Sequence, residues 1–220
     1  MTTPKIPRPS DASLLAGMPA TARELAAHGV IRSYRARTVL IGEGDQGDAV
    51  FVVLLGVLRI FCSAANGREI TLALYGPGEY VGEMSLDGGV RSASVVTETA
   101  CVCAVVSGHA LRQHLAQDAA FALDLIQRLI RRTRLTTDSA RSLALLDAYS
   151  RLTKLFDALA VSRADGTRMV VERLTHQDIS QRVGCSRELV SRLLKDLVKG
   201  GYLALELRQY VLLKRLPARW

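Results

Sequence analysis

The 220-residue sequence lacks any uninterrupted apolar run of the roughly 20 residues that a membrane-spanning helix requires. Its first ten residues contain three prolines and no apolar stretch of the kind found in signal peptides. Cysteine is also scarce, and the four cysteines have neither the spacing of a zinc site nor the clustering of an iron–sulfur site. We therefore expect a cytoplasmic protein with free thiols, no membrane partner and no bound metal.

Acidic residues are scarce in the C-terminal third, although the whole chain has a net charge of only +8. Residues 1–150 contain 15 Lys/Arg against 14 Asp/Glu, a net charge of +1, whereas residues 151–220 contain 14 against 7, a net charge of +7. This local excess favours an anionic partner, with double-stranded DNA ahead of a membrane surface because the segment is not one continuous basic amphipathic helix. A basic surface that only confers solubility is the alternative.

Turn-forming residues divide residues 30–107 into short apolar segments. Runs rich in Val, Ile, Leu and Phe alternate with Gly, Asp, Asn and Pro, which predicts a β sandwich, roll or barrel. Asn66-Gly67 lies between two such runs and predicts a hairpin with a type I′ turn. A short helix over Pro19–His28, ended by Gly29, is predicted before the first strand.

A long amphipathic helix is predicted over Asp118–Leu146. Alternating steps of four and three residues define a seam suited to meet a second helix: Ala122, Ile126, Leu129, Thr133, Thr136, Ala140 and Leu143. A second apolar flank, expected to pack on the N-terminal domain, consists of Phe121, Leu123, Leu125 and Ile130. The seam threonines need polar partners, which are either a buried ligand or the carbonyl groups of the helix itself, and the pattern alone favours the carbonyl groups.

The C-terminal region predicts two helices joined by a tight turn and followed by a hairpin. Thr175 begins a first helix that ends near Val183-Gly184, and Ser186 begins a second helix that ends at Lys199. Residues 202–213 predict the hairpin. This order is typical of a winged helix-turn-helix.

The second of these helices has one apolar and one polar face. Its apolar stripe consists of Leu189, Val190, Leu193, Leu194 and Leu197. Its polar side carries Arg187, Glu188, Ser191, Arg192 and Lys195. Arginine can bind guanine O6 and N7 and glutamate can accept from the cytosine amine, so this face is suited to read a DNA groove. A solvated basic helix would look similar, but the charge asymmetry of the chain favours DNA.

The segment Gly184-Cys185-Ser186-Arg187-Glu188-Leu189-Val190-Ser191-Arg192 closely resembles the recognition segment of the cAMP receptor protein/fumarate-nitrate regulator family of bacterial transcription factors. The resemblance is closest to the cAMP receptor protein branch. It implies base contacts in a palindromic TGTGA-like operator by Arg187, Glu188 and Arg192. It implies phosphate contacts by Thr175, Gln177 and Ser186. It also implies a homodimer that contacts RNA polymerase.

A second segment resembles the phosphate cassette of the same family, with Gly82-Glu83-Met84-Ser85 followed by Arg91-Ser92-Ala93. The glycine allows backbone N–H groups to approach a ligand, the carboxylate can accept from a ribose hydroxyl, and Arg plus Ser can hold a phosphate. The resemblance implies that cAMP binds here, together with Thr136 and Thr137 of the long helix. A surface turn with an ordinary ion pair is the alternative.

The cassette departs from the family pattern in the loop between its two halves. The loop from Asp87 to Val90 is short, and Val90 stands where a proline is common in the family. Because loop length changes the direction of Arg91, the alternatives to cAMP are cGMP, a cyclic dinucleotide, a haem-bound gas or no ligand. The N-terminal cysteine cluster of the oxygen-sensing branch is absent from the sequence.

Together these features predict an α+β protein: an N-terminal arm and short helix (1–29), a jelly-roll-like cyclic-nucleotide-binding β-roll (30–117), a dimerisation helix and hinge (118–146), and a winged helix-turn-helix (147–220). The expected function is that of a homodimeric DNA-binding regulator of transcription, controlled allosterically by cAMP or a related cyclic nucleotide. No metal cluster or activated nucleophile accompanies Glu83 and Arg91 in the sequence, so an enzyme is not expected.

Overall fold

The computed structural model describes residues 14, 15 and 17–218, so most of the predicted N-terminal arm lies outside the described residues. The chain divides into two compact units. The first contains the described residues up to Cys62 and Leu72–Arg131, and the second contains Ser63–Thr71 and the described residues from Arg132 onward. None of the helices in the described part of the chain has the length and apolar character needed to cross a bilayer.

Among the described residues of the N-terminal region, eight strands form two four-stranded sheets, in the orders β1-β8-β3-β6 and β2-β7-β4-β5. The strands are β1 (Val30–Tyr34), β2 (Val39–Ile41), β3 (Val50–Leu55), β4 (Leu58–Ser63), β5 (Glu69–Tyr75), β6 (Tyr80–Val81), β7 (Ser94–Thr97) and β8 (Cys101–Val106). Every strand pair whose register is defined in these two sheets is antiparallel. The predicted β-roll is therefore confirmed.

Two helices cover one side of this roll. Helix α1 (Ala20–Ala27) buries Ala22, Leu25 and Ala26, and α2 (Gly108–Gln117) buries Leu111. These residues pack with Val50, Val52 and Tyr80 of the sheet in one apolar core. The hydroxyl of Ser107 caps α2 by accepting from the Ala110 N–H at 3.2 Å. Helix α2 also packs next to the β6–β7 connection, which holds the cassette.

The hairpin at Asn66-Gly67 forms as predicted, but the prediction of a type I′ turn is wrong. Only Gly67 has a positive φ, at 75°, while a type I′ turn requires positive φ at both central residues. The Gly67 N–H donates to the Ala64 carbonyl at 2.9 Å, and the Asn66 side-chain oxygen accepts from the Arg68 N–H at 3.1 Å. The asparagine thus favours a turn followed by a left-handed glycine, because its side chain bonds to the backbone two residues on.

The long helix α3 runs over Ala119–Leu145, close to the predicted range. Phe121 and Leu125 are buried, as expected of its packing flank. The expectation that Leu123 and Ile130 join this flank is wrong, because they are 56% and 46% exposed. Leu123 lies two residues from Phe121, roughly 200° around the helix, and therefore faces away. Arg128, seven residues after Phe121, takes the place on the buried flank.

The second unit confirms the predicted winged helix-turn-helix. It contains α4 (Ala148–Leu159), α5 (His176–Val183), α6 (Arg187–Lys199) and a sheet of order β11-β12-β10-β9. The strands are β9 (Ala160–Ser162), β10 (Arg168–Val170), β11 (Leu203–Glu206) and β12 (Gln209–Leu212). Of these four strands, only the β11–β12 hairpin was predicted from the sequence. Its turn has the two positive φ values of a type I′ turn, at Leu207 and Arg208, although neither residue is glycine.

Candidate functional site

The first helix of the helix-turn-helix pair is held at both ends by side chains. At its N-terminus, the Thr175 hydroxyl accepts from the Asp178 N–H at 3.1 Å, and the Asp178 carboxylate accepts from the Thr175 N–H at 2.8 Å. At its C-terminus, Arg151 of α4 donates from Nε to the Val183 carbonyl at 2.7 Å. Gly184 ends the helix in the left-handed conformation with a φ of 72°. The turn into α6 is therefore fixed by backbone and side chain together.

The second helix begins at Ser186, whose hydroxyl accepts from the Leu189 N–H at 3.2 Å. In this first turn, the backbone N–H of Glu188 and the Ser186 hydroxyl lower the pKa of the Glu188 carboxyl below its usual value. Glu188 is exposed. Its carboxylate is therefore ionised at neutral pH and can act only as an acceptor, which is the role that contact with a cytosine amine requires.

The two faces of α6 are separated as predicted. Val190, Leu194 and Leu197 are buried, with Leu189 and Leu193 half-buried beside them. The exposed side carries Arg187, Glu188, Arg192 and Lys195, and Thr175, Gln177 and Ser186 are exposed near the helix starts. Helix α6 thus presents a continuous charged surface on the side away from its core.

The cations on this surface have no carboxylate partner among the described residues, unlike three arginines elsewhere in the unit. Arg163, Arg168 and Arg182 form ion pairs with Glu206, Asp157 and Glu172 at 2.8, 2.7 and 2.7 Å. Within the described chain, no such ion pair is formed by Arg187, Arg192 or Lys195. Their positive charge is therefore available to an external anion.

Ser191 and His176 form an internal contact that was not predicted from the sequence. Ser191 is half-buried, and its Oγ lies 2.7 Å from Nδ1 of His176 on α5. The pair joins the two helices at their exposed side. No sequence signal could have predicted it, since the residues are 15 positions apart on different helices.

The cassette connects β6 to β7 through a 3₁₀ helix over Glu83–Asp87. Gly82 precedes it with a φ of 98°, and a Cβ added there would lie 2.6 Å from the Ala49 carbonyl oxygen. Only glycine fits this position without displacing the backbone of the neighbouring segment. The close approach explains why the cassette begins with this residue.

Arg91 is buried inside the cassette, with only 7% of its surface exposed, and forms hydrogen bonds to its neighbours. Its Nη1 donates to the Gly82 carbonyl at 2.8 Å and to the Ser85 hydroxyl at 2.9 Å, and Nη2 donates to the Ala49 carbonyl at 2.8 Å. Burial lowers the pKa of Arg91, and the charges of Asp48 and Glu83 oppose this shift. Because a guanidinium has five N–H groups, these three bonds leave two of them for a ligand.

The remaining cassette residues divide into a buried and an exposed set. Glu83, Ser85 and Ala93 are buried, whereas Met84 and Ser92 are exposed and meet at 3.5 Å between Sδ and Oγ. The structure therefore brings Gly82, Ser85 and Arg91 into direct contact and leaves the Ser92 hydroxyl at the surface.

A cavity of about 280 Å³ lies beside Arg91 in the first unit. Its lining consists of Leu40, Ile41, Gly42, Asp45, Gln46, Gly47, Asp48, Ala49, Phe51 and Arg91. Arg91 is the only predicted cassette residue in this lining, and two carboxylates accompany it. The volume lies just below the range of about 300–1,000 Å³ that is typical of small-molecule pockets.

Thr136 and Thr137 are exposed on α3, in the second unit, whereas the cassette lies in the first. Their hydroxyls donate to the carbonyls of Arg132 and Thr133, each at 3.0 Å. The helix itself therefore provides partners for these two hydroxyls, as the pattern alone favoured. Each oxygen keeps lone pairs with which it can accept from a ligand.

Comparison with known proteins gives the same two modules. Residues 31–118 match the cyclic nucleotide-binding domain, and residues 150–218 match the Crp-like helix-turn-helix domain. The chain is 30% identical over 177 residues to the cAMP-activated global transcriptional regulator CRP of Salmonella typhimurium, covering 77% of this chain and 83% of the relative. It is 33% identical over 176 residues to the CRP-like cAMP-activated global transcriptional regulator of Mycobacterium tuberculosis, covering 78% of each.

Solved structures show the same architecture. The c-di-GMP responsive global regulator CLP of Xanthomonas campestris superposes with a TM-score of 0.77 at 31% identity, covering 87% of this chain and 97% of that one. CooA of Carboxydothermus hydrogenoformans has a TM-score of 0.73 at 20% identity, covering 87% of this chain and 86% of that one, and shows the fold alone. The chain belongs to the CRP/FNR family of DNA-binding transcription regulators. Its matched relatives are regulators and not enzymes.

The contact at Gly82 can be tested with a matched pair of glycines. Gly82 and Gly88 flank the 3₁₀ helix with similar φ values, 98° and 84°, but a Cβ at Gly88 would have no atom within 4 Å. We expect Gly88→Ala to lower the free energy of unfolding by about 1–2 kcal/mol through its backbone conformation alone. Gly82→Ala adds the clash with Ala49, and we expect a loss of about 2–5 kcal/mol. Urea denaturation followed by circular dichroism measures both, and equal losses would contradict the packing role of Gly82.

Proposed function

We propose that this chain is a homodimeric transcription regulator that binds a palindromic TGTGA-like operator and responds to cAMP or a related cyclic nucleotide. The observation that carries the proposal is the exposed face of α6, where Arg187, Arg192 and Lys195 lack carboxylate partners among the described residues. The names of the CRP relatives support the same reading. A cytoplasmic location and a contact with RNA polymerase are part of the proposal by family membership.

Base readout is assigned to Arg187, Glu188 and Arg192. All three are exposed on one side of α6, and two belong to its first turn, the part of a recognition helix that enters the major groove. Arginine prefers guanine and the ionised Glu188 prefers the cytosine amine, so the set is suited to G·C pairs. Lys195, two turns further along α6, is assigned to the phosphate backbone. Ser191 is assigned a weaker DNA contact, because its hydroxyl is already bonded to His176.

Phosphate contact is assigned to residues at the starts of α5 and α6, where backbone N–H groups favour anions. Ser186 and Gln177 are exposed there. The Thr175 hydroxyl donates to the Asp178 carboxylate at 2.7 Å, so its proton is already used. The Ser186 hydroxyl likewise donates to the Glu188 carboxylate. We therefore propose Gln177 as the stronger phosphate contact, and Thr175 and Ser186 chiefly as the caps of α5 and α6.

Substituting Arg187 tests base readout. We expect Arg187→Ala to weaken binding to a TGTGA-type duplex by about 1–3 kcal/mol more than binding to random DNA, because a bidentate base contact is lost. Fluorescence anisotropy at fixed salt measures both affinities. Arg141→Ala, an equal loss of charge at an exposed position of α3, is the control and should weaken both duplexes alike or not at all. Equal losses on both duplexes for Arg187→Ala would reduce this residue to a phosphate contact.

The homodimer is proposed from the exposed apolar face of α3. Leu123, Ile126 and Ile130 are 56%, 52% and 46% exposed and lie on one side of the helix within about two turns. Three large aliphatic side chains side by side are unusual on a free surface and suit a helix–helix seam. Thr133 and Thr137 continue the same side of the helix toward its C-terminus.

A charge placed on this face should separate the subunits. We expect Ile126→Glu to raise the dimer dissociation constant by at least about tenfold, because an unpaired carboxylate would be buried at the seam. Leu135→Glu is the matched control, since Leu135 is 67% exposed on roughly the opposite side of the same helix. Sedimentation velocity across a concentration series measures the change. A dimer constant unaffected by Ile126→Glu would place the interface elsewhere.

The effector is proposed to bind at the cassette. The two unused N–H groups of Arg91, the exposed Ser92 hydroxyl and the Glu83 carboxylate supply the groups that a cyclic phosphate and a ribose require. Thr136 of one subunit and Thr137 of its partner are proposed to contact the base. A nucleotide can shift the protein toward its DNA-competent state only if it binds that state more tightly.

A different effector, or none, is the second candidate. Arg91 already holds three acceptors of the chain, and the cavity beside it also contains Asp45 and Asp48, whose charges disfavour a phosphate. The similar CLP structure is described as c-di-GMP responsive, which extends the candidates to a cyclic dinucleotide. A ligand-independent regulator would keep every feature of α6.

Calorimetric titration with cAMP, cGMP and c-di-GMP, with and without operator duplex, identifies the effector. We expect the true effector to bind about 5–150-fold more tightly when operator is present, the usual range for allosteric coupling. Ser92→Ala should weaken that binding by about 1.5–3 kcal/mol, since a hydrogen bond to a charged phosphate is lost. Ser33→Ala, an exposed serine of β1, should leave it unchanged. Operator binding that no nucleotide alters would favour the ligand-independent regulator.

A further inference from the structure

Three potential metal ligands converge within the first unit, next to the start of α3. Glu24 lies on α1, His114 lies on α2, and Asp118 lies between α2 and α3. Each offers one ligand atom, and these three atoms lie within 4.8 Å of one another. The cluster belongs to neither the cassette nor the surface of α6.

The buried member of this cluster has an unsatisfied nitrogen. His114 is only 8% exposed, and its Nε2 is buried without a hydrogen-bond partner in the described part of the chain. Its ring is fixed between Phe121, at 4.5 Å between ring centroids, and His28, at 4.9 Å. A buried polar atom without a partner lowers the stability of the folded state by about 1–3 kcal/mol, so a ligand that bonds to this nitrogen would stabilise the protein.

The two carboxylates retain the capacity to bind a cation. Asp118 uses Oδ1 to cap α3, accepting from the N–H groups of Ala120 at 2.9 Å and Phe121 at 3.0 Å, and this leaves Oδ2 available. Glu24 is exposed, so its side chain can rotate toward the site without disturbing the core. Neither carboxylate forms an ion pair with a residue that the structure describes. Two carboxylates therefore lie near an imidazole whose Nε2 has no partner, and no ion pair among the described residues neutralises them.

We propose that Glu24, His114 and Asp118 bind one divalent transition-metal ion, with Zn²⁺ as the best match. Zn²⁺ takes imidazole nitrogen and carboxylate oxygen ligands at about 2.0–2.2 Å, and water can complete a tetrahedral set. An imidazole ligand disfavours Mg²⁺, which prefers six oxygen ligands. The ion would connect α1 to the start of α3 and stabilise the folded state by mass action.

Titration of the metal-free full-length protein with ZnCl₂, by calorimetry and by thermal melting, tests the proposal. We expect one ion per chain and a rise in melting temperature, with no effect of MgCl₂ at the same concentration. Glu24→Gln and Asp118→Asn should weaken Zn²⁺ binding at least about tenfold, and asparagine preserves the cap of α3 because it is as good an N-cap as aspartate. His109→Gln, an exposed histidine on the same helix, is the control and should bind as the wild type does.

Substitution with Co²⁺ distinguishes this site from the free cysteines. A site of one imidazole and two carboxylates gives weak d–d absorption without a thiolate charge-transfer band, and we expect that spectrum to disappear in His114→Gln. The proposal is overturned by a thiolate band, by Zn²⁺ binding that persists in the Glu24 and Asp118 variants, or by the lack of stoichiometric binding in the wild type. Its outcome does not depend on whether the protein binds operator or cyclic nucleotide.

Discussion

Burial of one side of α3 against the β-roll is the interaction on which the rest of the structure depends. Phe121 and Leu125 fill the apolar core, and the guanidinium of Arg128 is held beside them. Arg128 donates to Asp124 at 2.7 Å and to the Gly78 carbonyl at 3.3 Å, and it lies 5.2 Å from the centre of the Tyr80 ring. A buried cation with these partners is strongly favoured over one left unpaired, so the helix has one rotational setting on the roll.

That setting determines which side of α3 is left for another molecule. With Phe121, Leu125 and Arg128 turned inward, Ile126 and its neighbours Leu123 and Ile130 must face outward. The same rotation carries Thr133 and Thr137 along the outward side. The packing of α3 in the first unit thus determines which side of the helix is available as the proposed dimer seam.

The sequence predicted the elements better than it predicted their contacts. The helical period of α3 was clear from the sequence. Periodicity could not show which of two adjacent apolar faces packs on the β-roll, and it did not assign the buried Arg128 to the packing flank. The cassette was located from Gly82 and Arg91, yet the bond from Arg91 to the Ala49 carbonyl depends on how the β2–β3 segment folds over the cassette. Glu24 and His114 are 90 positions apart, so their proximity arises only from the packing of α1 on α2.

The capping of the helix-turn-helix constrains how any effector could control it. Helix α5 is closed by Thr175 and Asp178 at one end and by Arg151 at the other, and the Ser191–His176 bond joins it to α6. Both helices bury their apolar residues in one core with β11 and β12. Distorting α6 within this unit would break several of these contacts at once, and each hydrogen bond is worth about 0.5–1.5 kcal/mol. The coupling free energy between an effector and DNA is typically about 1–3 kcal/mol, which is too small to break several of these contacts together. An effector that acts through the helix-turn-helix would therefore leave the internal geometry of this unit intact.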